Sequence, residues 1–346
     1  MAQLGIGVVG TGRIAQAHLK SLATHPQARA VACFDVLPER ARQTAAEFAI
    51  PNVCASLEDL LERRDVDAVI VCTPPFAHAQ PTITALEAGK HVLCEKPFAI
   101  APAEAEAMVA AAERNGHYLA CCSARNRVGL AARMGHEIAA RGDLGKVYFA
   151  RSSSFRVRGR PGIDIFRDAP WFVSRERAGG GALIDIGVYQ LDWLLWMLGS
   201  PRVKTVLAAT YQGIGAIPPD SPTQDVEDHA VVSFTCDNGA SAVMEIAWSS
   251  NIAGANALVV LGTEAGLRFD PLTKISAGPD RQPVEEKLLD LAPTDPAVRG
   301  NVTTAFVDAL LAGEEPQTPG RDALEVTRLI DAAYRSAATG QAVQLS

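Results

Sequence analysis

The chain has 346 residues, 48% of them hydrophobic and 21% charged, with a formal net charge of −7. That length exceeds what one hydrophobic core usually serves, so two domains are expected. The acidic balance argues against a nucleic-acid partner, whose phosphates need a basic face; no apolar run approaches the roughly 20 residues of a membrane span.

The first strand is expected to start near Leu4, and no signal peptide is therefore expected. Apolar runs at Leu4–Val9, Ala30–Phe34, Ala68–Cys72, His91–Cys94 and Tyr118–Cys121 read as strands. Ala-rich helical stretches fall between and after them, at about 13–23, 37–48, 56–63, 77–89 and 102–115. Such alternation implies βαβ units with right-handed crossovers and a parallel sheet. Gly89 ends one helix and Pro102 suits the first turn of the next.

The pattern changes near residue 123. One more helix, about Leu130–Arg141, leads into strand-like runs at 146–156, 203–211, 228–236, 240–249 and 256–262. Asp237-Asn238-Gly239 is a hairpin signal between two of them. Helices are expected at about 183–198, 297–312 and 320–338. The expected fold is therefore an α/β, doubly wound (Rossmann) domain over 1–123, then an α+β domain over 124–346. The second domain should hold a large, mostly antiparallel open sheet and serve substrate binding and oligomerisation, with C-terminal helices packing back toward the first.

The seven cysteines are odd in number, contain no C-x-x-C pair and lie mostly in apolar strand-like runs. This usage fits reduced thiols in a cytoplasmic protein. No His/Cys cluster has metal-ligand spacing, so no metal is expected.

Gly10-x-Gly12-x-x-Ala15 follows a strand and opens a helix. The first glycine allows the tight turn, the second lets a pyrophosphate approach backbone N–H groups, and alanine lets helix pack on strand. Gly10, Gly12, Arg13 and Ile14 are accordingly candidate dinucleotide contacts. Asp35 ends the next strand, where a carboxylate accepts ribose hydroxyls and repels a 2′-phosphate, favouring NAD over NADP. Arg40, beyond it, either softens that repulsion or is a solvated helix residue, the second being preferred. Thr73 and Pro74 begin a loop after the Ala68–Cys72 strand. His78 is either a cofactor contact or a helix-start residue bonded to backbone.

Val92-Leu93-Cys94-Glu95-Lys96-Pro97 delivers a lysine to the carboxyl end of a strand, where open parallel sheets bind ligands. A cationic donor beside a dinucleotide crevice points to redox chemistry. Further on, Asp185, Tyr189 and Asp192 stand at i, i+4 and i+7 of an expected helix, beside an apolar stripe of Ile184, Val188, Leu191 and Leu195. Taken alone, Asp185 is equally a first-turn carboxylate favoured by the helix dipole, and Tyr189 a packing residue. The segment Arg151–Arg177 interleaves seven arginines with Phe155, Phe166, Trp171 and Phe172. It reads as an active-site loop with Arg or Trp touching substrate, or equally as a surface loop or subunit contact.

Glu95-Lys96-Pro97 together with Asp185-x-Gly187-x-Tyr189-x-x-Asp192 resembles the glucose–fructose oxidoreductase / inositol dehydrogenase / MocA-like family. The resemblance extends over the glycine loop, Asp35, Thr73-Pro74, Asn126-Arg127, Gly142–Lys146 and the C-terminal helices. It implies an NAD(P)-dependent dehydrogenase exchanging a hydride with a secondary alcohol or carbonyl carbon of a sugar, polyol or related cyclic alcohol. It also implies Glu95 and Lys96 at the cofactor, and Lys96, Arg127, Trp171, Asp185 and Tyr189 at the substrate. An open C-terminal sheet would pair subunits into a homodimer or homotetramer.

Many members carry histidine where this chain has Tyr189; glucose–fructose oxidoreductase and the dihydrodiol dehydrogenases resemble it in having tyrosine. Tyrosine ordinarily titrates near 10, so ionising one at pH 7 costs about 4 kcal/mol. A neighbouring ammonium and a cationic nicotinamide both reduce that cost. The expected catalytic set is Lys96 and Tyr189 as a coupled pair, with Asp185 holding substrate. Two rival readings are a glucose–fructose-oxidoreductase-like enzyme that retains its nicotinamide, and a non-catalytic NAD-dependent sensor. The presence of Lys96 and Asp185 weighs against the second.

Overall fold

The computed structural model describes residues 3–157, 159–291 and 300–345. The chain forms two compact units. Residues up to Ala124 together with Asn301–Thr327 make the first; Arg125–Gly300 with Arg328–Ser346 make the second.

In the first unit, strands β1 (Leu4–Val9), β2 (Ala28–Phe34), β3 (Asn52–Val53), β4 (Ala68–Val71), β5 (His91–Cys94) and β6 (Leu119–Cys121) form one sheet in the order 3-2-1-4-5-6. Every pairing is parallel. The strand order reverses between β1 and β4, and that switch point is where such sheets open a crevice at their carboxyl ends. The crossovers carry α1 (Arg13–Ala23), α2 (Pro38–Phe48), α3 (Leu57–Leu61), α4 (Ala79–Glu87) and α5 (Pro102–Asn115). Pro102 does open α5, and Gly116 closes it in the left-handed conformation.

The strands are apolar throughout because both faces are covered. Ile6, Val8, Ala68, Ile70, Leu93 and Ala120 pack into one core, while Val9, Val69, Val71, Val92, Cys94 and Leu119 pack into the other. This is the period-two alternation of a strand read twice. The segment that returns after residue 300 completes both layers. Phe306 and Val307, from helix Val302–Ala312, join the first core, and Ala323 and Leu324 join the second. The helix expected from 297 begins at Val302; residues 297–299 lie outside the described residues.

Among its described residues the second unit has nine strands: β7 (Val147–Phe155), β8 (Val203–Tyr211), β9 (His229–Cys236), β10 (Ser241–Ala247), β11 (Ala257–Gly262), β12 (Ala265–Phe269), β13 (Thr273–Ala277), β14 (Pro283–Lys287) and β15 (Val343–Gln344). Their order is 14-13-12-11-7-10-9-8-15. Among the described residues β7–β10 is the one parallel pair, and the other pairings are antiparallel. The Asp237–Gly239 turn joins β9 to β10 as the turn residues require, with Gly239 at φ +83°. Strands β12 to β15 and β3 are additions to the sequence-based expectation.

Ala230, Val232, Phe234, Ala242, Met244 and Ile246 form the buried face of β9 and β10. Helix α8 (Val188–Met197), which follows α6 (Leu130–Ala140) and the short α7 (Arg175–Ala178), packs against β10 and β7. Every residue of α8 except Gln190 is buried. A turn of π-helix over Leu183–Gly187 precedes it, so the continuous α-helix expected from 183 is corrected at its start. Such turns interrupt the 3.6-residue period and are common at functional sites.

Candidate active site

In the first unit the dinucleotide motif is assembled as its glycines require. Gly10 has φ +84°, and a Cβ there would lie 2.9 Å from the Cys72 carbonyl and the Thr73 nitrogen. A side chain would thus push β1's loop off β4's loop. Gly12 is the N-cap of α1, which starts without a side-chain cap. A Cβ at Gly12 would meet nothing within 4 Å. The helix N-terminus therefore presents amide donors and positive dipole to open space, the arrangement that accepts a pyrophosphate. Arg13 is exposed and Ile14 half-buried beside it.

Asp35 is buried, and its orientation is locked. Its Oδ2 accepts from the Thr11 amide at 2.8 Å and the Thr11 hydroxyl at 3.0 Å, and Oδ1 accepts from the Leu37 amide at 2.9 Å. Arg40 Nη1 stands 3.8 Å from Oδ2 with half its side chain exposed. The Thr73 hydroxyl donates to the Ala77 carbonyl at 2.8 Å, and Pro74 leads into a 3-10 turn over Pro75–Ala77. Gly10, Gly12, Arg13, Ile14, Asp35, Arg40, Thr73 and Pro74 thus share the carboxyl edge of one sheet. His78 is set apart from them. It is 1% exposed, with Nδ1 2.7 Å from the Pro97 carbonyl and Nε2 2.8 Å from the Thr73 carbonyl. It ties two loops together through their backbone carbonyls, and burial lowers its pKa.

Lys96 follows β5 at the same sheet edge and is half-buried. Glu95 beneath it is buried, accepting from the Lys96 amide at 2.9 Å through Oε2 and facing His18 Nε2 at 3.0 Å through Oε1. Burial alone would raise the Glu95 pKa, but the His18 hydrogen bond and the His18 and Lys96 charges outweigh it and bring the carboxyl down to about 2. His18 Nδ1 in turn meets the Thr303 hydroxyl at 2.7 Å. Cys122 completes a compact His/Glu/Cys group. Burial pushes the Cys122 thiol well above its usual range, and the histidine and glutamate atoms already have the partners named.

In the second unit Asp185 sits in the π-turn and Tyr189 in the first turn of α8. Asp185 is half-buried, and its Oδ2 accepts from Trp248 Nε1 at 2.8 Å; Trp248 is 0% exposed. Tyr189 is 8% exposed, with the Arg125 guanidinium 5.1 Å from its ring centre, within cation–π range. Asn126 Nδ2 donates to the Tyr189 carbonyl at 3.3 Å. Arg127, expected at the substrate, lies in the core at 2% exposure. Its Nε and Nη2 grip Asp192 at 2.7 and 2.9 Å, and it stacks over Trp196. Asp192 is 0% exposed, so the expected polar face Asp185–Tyr189–Asp192 is corrected: its third member points into the core. Trp171 stacks on Phe172 at 3.9 Å in a 3-10 turn, half-buried. Of the arginines in that segment, Arg158 lies outside the described residues.

Residues 4–121 match the model of an oxidoreductase family with an NAD-binding Rossmann fold, GFO/IDH/MocA, and residues 133–268 match the C-terminal domain of the same family. The chain belongs to the GFO/IDH/MocA oxidoreductase family. It is 29% identical to the D-glucoside 3-dehydrogenase of Escherichia coli K12 over 352 residues, covering 99% of this chain and 97% of that protein. Among solved structures, an oxidoreductase domain protein from Kribbella flavida superposes with a TM-score of 0.86 at 28% identity, with both chains fully covered. GenD2 from gentamicin A biosynthesis, solved with NAD, superposes with a TM-score of 0.79 at 29% identity, over 100% of this chain and 97% of its own.

As a GFO/IDH/MocA oxidoreductase the protein carries an NAD-binding Rossmann domain, and the open helix N-terminus at Gly12 with the locked Asp35 fits that cofactor. Sequence reasoning missed Trp248, Glu227 and Arg125. Glu227 is buried and accepts from the Gly181 amide at 3.1 Å, the Leu183 amide at 2.9 Å and the Tyr334 hydroxyl at 2.9 Å. It thereby satisfies the amides that open the Asp185 turn. The Gly179–Gly181 run was the one signal for it. A Cβ at Gly181 would fall 2.0 Å from the Glu227 carbonyl, and one at Gly180 would fall 1.9 Å from the Tyr334 hydroxyl.

Proposed function

We propose that this oxidoreductase moves a hydride between NAD and a secondary alcohol or carbonyl carbon of a sugar, polyol or related cyclic alcohol. The observation that carries the reading is Lys96. A lysine stands at the carboxyl end of β5, on the sheet edge that carries the glycine loop and Asp35, with its backbone tied to a buried Glu95. The nicotinamide, when bound, supplies the hydride acceptor or donor. In alcohol oxidation the hydride leaves carbon and the hydroxyl proton passes to Tyr189 in its phenolate form, leaving the neutral phenol; in reduction the neutral phenol returns that proton to the developing alkoxide and becomes the phenolate again. Lys96 stabilises the negative charge that develops on the reacting oxygen. Asp185 accepts hydrogen bonds from substrate hydroxyls. Trp171 contributes a ring to the sugar-binding loop, whereas Arg127, locked to Asp192, supports α8 instead.

Asp35 favours NAD, and Arg40 at 3.8 Å leaves NADP as the weaker alternative. Leu207 and Tyr211, half or more exposed on β8, support pairing of the nine-stranded sheet between subunits into a homodimer or homotetramer. The seven cysteines, none of them in a disulfide, support residence in the reducing cytoplasm. Among the described residues no helix is long and apolar enough to cross a membrane. The test is a panel of glycosides, aldoses and polyols with NAD and NADP, followed by nicotinamide absorbance. Turnover should appear with at least one ring or chain polyol and fall about 10²–10⁴-fold in Tyr189→Phe. No turnover on any member of the panel, with NAD bound tightly, would overturn the enzyme reading.

A further inference from the structure

The Asp185 carboxylate is set in place by residues from three separate stretches of the second unit. Trp248 Nε1 donates to Asp185 Oδ2 at 2.8 Å from a side chain with no solvent exposure. The Trp248 backbone is itself fixed, its amide donating to the Asp228 carbonyl at 2.9 Å. Next to Asp228, Glu227 holds the start of the Asp185 turn through the Gly181 and Leu183 amides, and its carbonyl accepts from the Ala182 amide at 3.1 Å. Tyr334 closes the Glu227 carboxylate from the other side at 2.9 Å. The dipeptide Glu227-Asp228 thus positions both the turn that bears Asp185 and the indole that orients its carboxylate.

The last torsion of an aspartate side chain is broad and roughly two-fold, so the partners of its oxygens decide its rotation. An indole N–H is a donor only, so it takes one oxygen of the carboxyl group as its acceptor and thereby favours one rotation of the group. Orientation of this kind matters most for a ligand that must be read by paired hydroxyls, because misplacing the acceptor strains every bond at once.

We propose that Trp248 is a positioning residue for substrate recognition: its indole N–H holds the Asp185 carboxylate in the rotation that binds the hydroxyls of a polyhydroxylated substrate. The proposal rests on the reading of Asp185 as the substrate anchor. Nothing in it requires Trp248 to touch substrate or cofactor.

The test is a double-mutant cycle with Trp248→Phe, which keeps an aromatic core residue and removes the N–H, and Asp185→Asn. Steady-state kinetics use the best polyol of the panel, and NAD affinity is measured separately by titration. Trp248→Phe should raise KM by about tenfold, the effect of one lost hydrogen bond to a charged group, with kcat changing less and NAD affinity unchanged. In the double variant the two effects should fail to add, because Trp248 acts only through Asp185. KM within twofold of wild type in Trp248→Phe, with a raised KM in Asp185→Asn, would overturn the proposal and leave the anchor reading standing. Unchanged kinetics in Asp185→Asn would overturn both. Should Trp248→Phe fail to fold, the wild-type indole N–H resonances decide: one should move in Asp185→Asn and also on adding substrate. If no indole resonance responds to both, the proposal is wrong.

Discussion

Replacing Arg127 by methionine separates a structural arginine from a substrate-binding one. Arg127 and Asp192 are 2% and 0% exposed, joined by bonds of 2.7 and 2.9 Å, with a third from Nη2 to the Asp192 carbonyl at 3.3 Å. Methionine fills much of the arginine stem's volume but leaves the Asp192 carboxylate charged in the core. Breaking a buried pair from one side costs about 3–5 kcal/mol, more than the pair's own net contribution, because the remaining charge keeps its desolvation penalty. At about 2–4 °C per kcal/mol for a unit of this size, the melting transition of the second unit should fall by roughly 6–20 °C. Calorimetry on Arg127→Met measures that shift. Arg127→Met combined with Asp192→Leu should recover most of it, since both members of the buried pair are then apolar. Arg127→Lys should remain damaged, because an ammonium cannot reproduce the two-point fork. A melting temperature within about 2 °C of wild type, together with a large rise in substrate KM, would refute the reasoning and restore Arg127 to the substrate.

Two further outcomes follow from the first unit. Asp35→Ser removes the charge that opposes a 2′-phosphate while Arg40 stays nearby, so the NAD-to-NADP ratio of kcat/KM should fall about tenfold or more; an unchanged ratio would remove Asp35 from cofactor choice. Glu95 has its carboxyl pKa lowered from 4.5 to about 2 in the folded protein. Its ionised form therefore contributes stability that is present above about pH 4.5 and is lost as pH falls toward about 2. Glu95→Gln should flatten the acid limb of a stability-versus-pH curve in that window, measured by urea unfolding, and an unaltered limb would contradict the His18–Glu95 pairing.

What the sequence revealed depended on how local its signal was. Gly10, Gly12, Asp35 and Lys96 lie at strand ends within one βαβ series, and their spacing alone placed them on one edge. Strands β1, β2, β4, β5 and β6 of the first unit were legible because both faces of that sheet are apolar, so each contains an unbroken apolar run. Strand β14 was not, since Pro283–Lys287 is exposed along its whole length and has no apolar alternation. Strands β3 and β15 have two residues each and carry no period at all. The partners that define the second site are remote in sequence: Trp248 is 63 residues from Asp185, Arg127 is 65 from Asp192, and Tyr334 is 107 from Glu227. An assumed 3.6-residue period also concealed the π-turn at Leu183–Gly187, and with it the different fates of Asp185 and Asp192.

In the proposed mechanism Lys96 acts on the reacting oxygen beside NAD. Lys96→Met keeps most of the side-chain stem and removes the ammonium; it should leave NAD affinity and the melting temperature near wild type and abolish measurable hydride transfer to the best polyol substrate. Turnover within tenfold of wild type in that variant, with the same substrate and cofactor, would contradict the account.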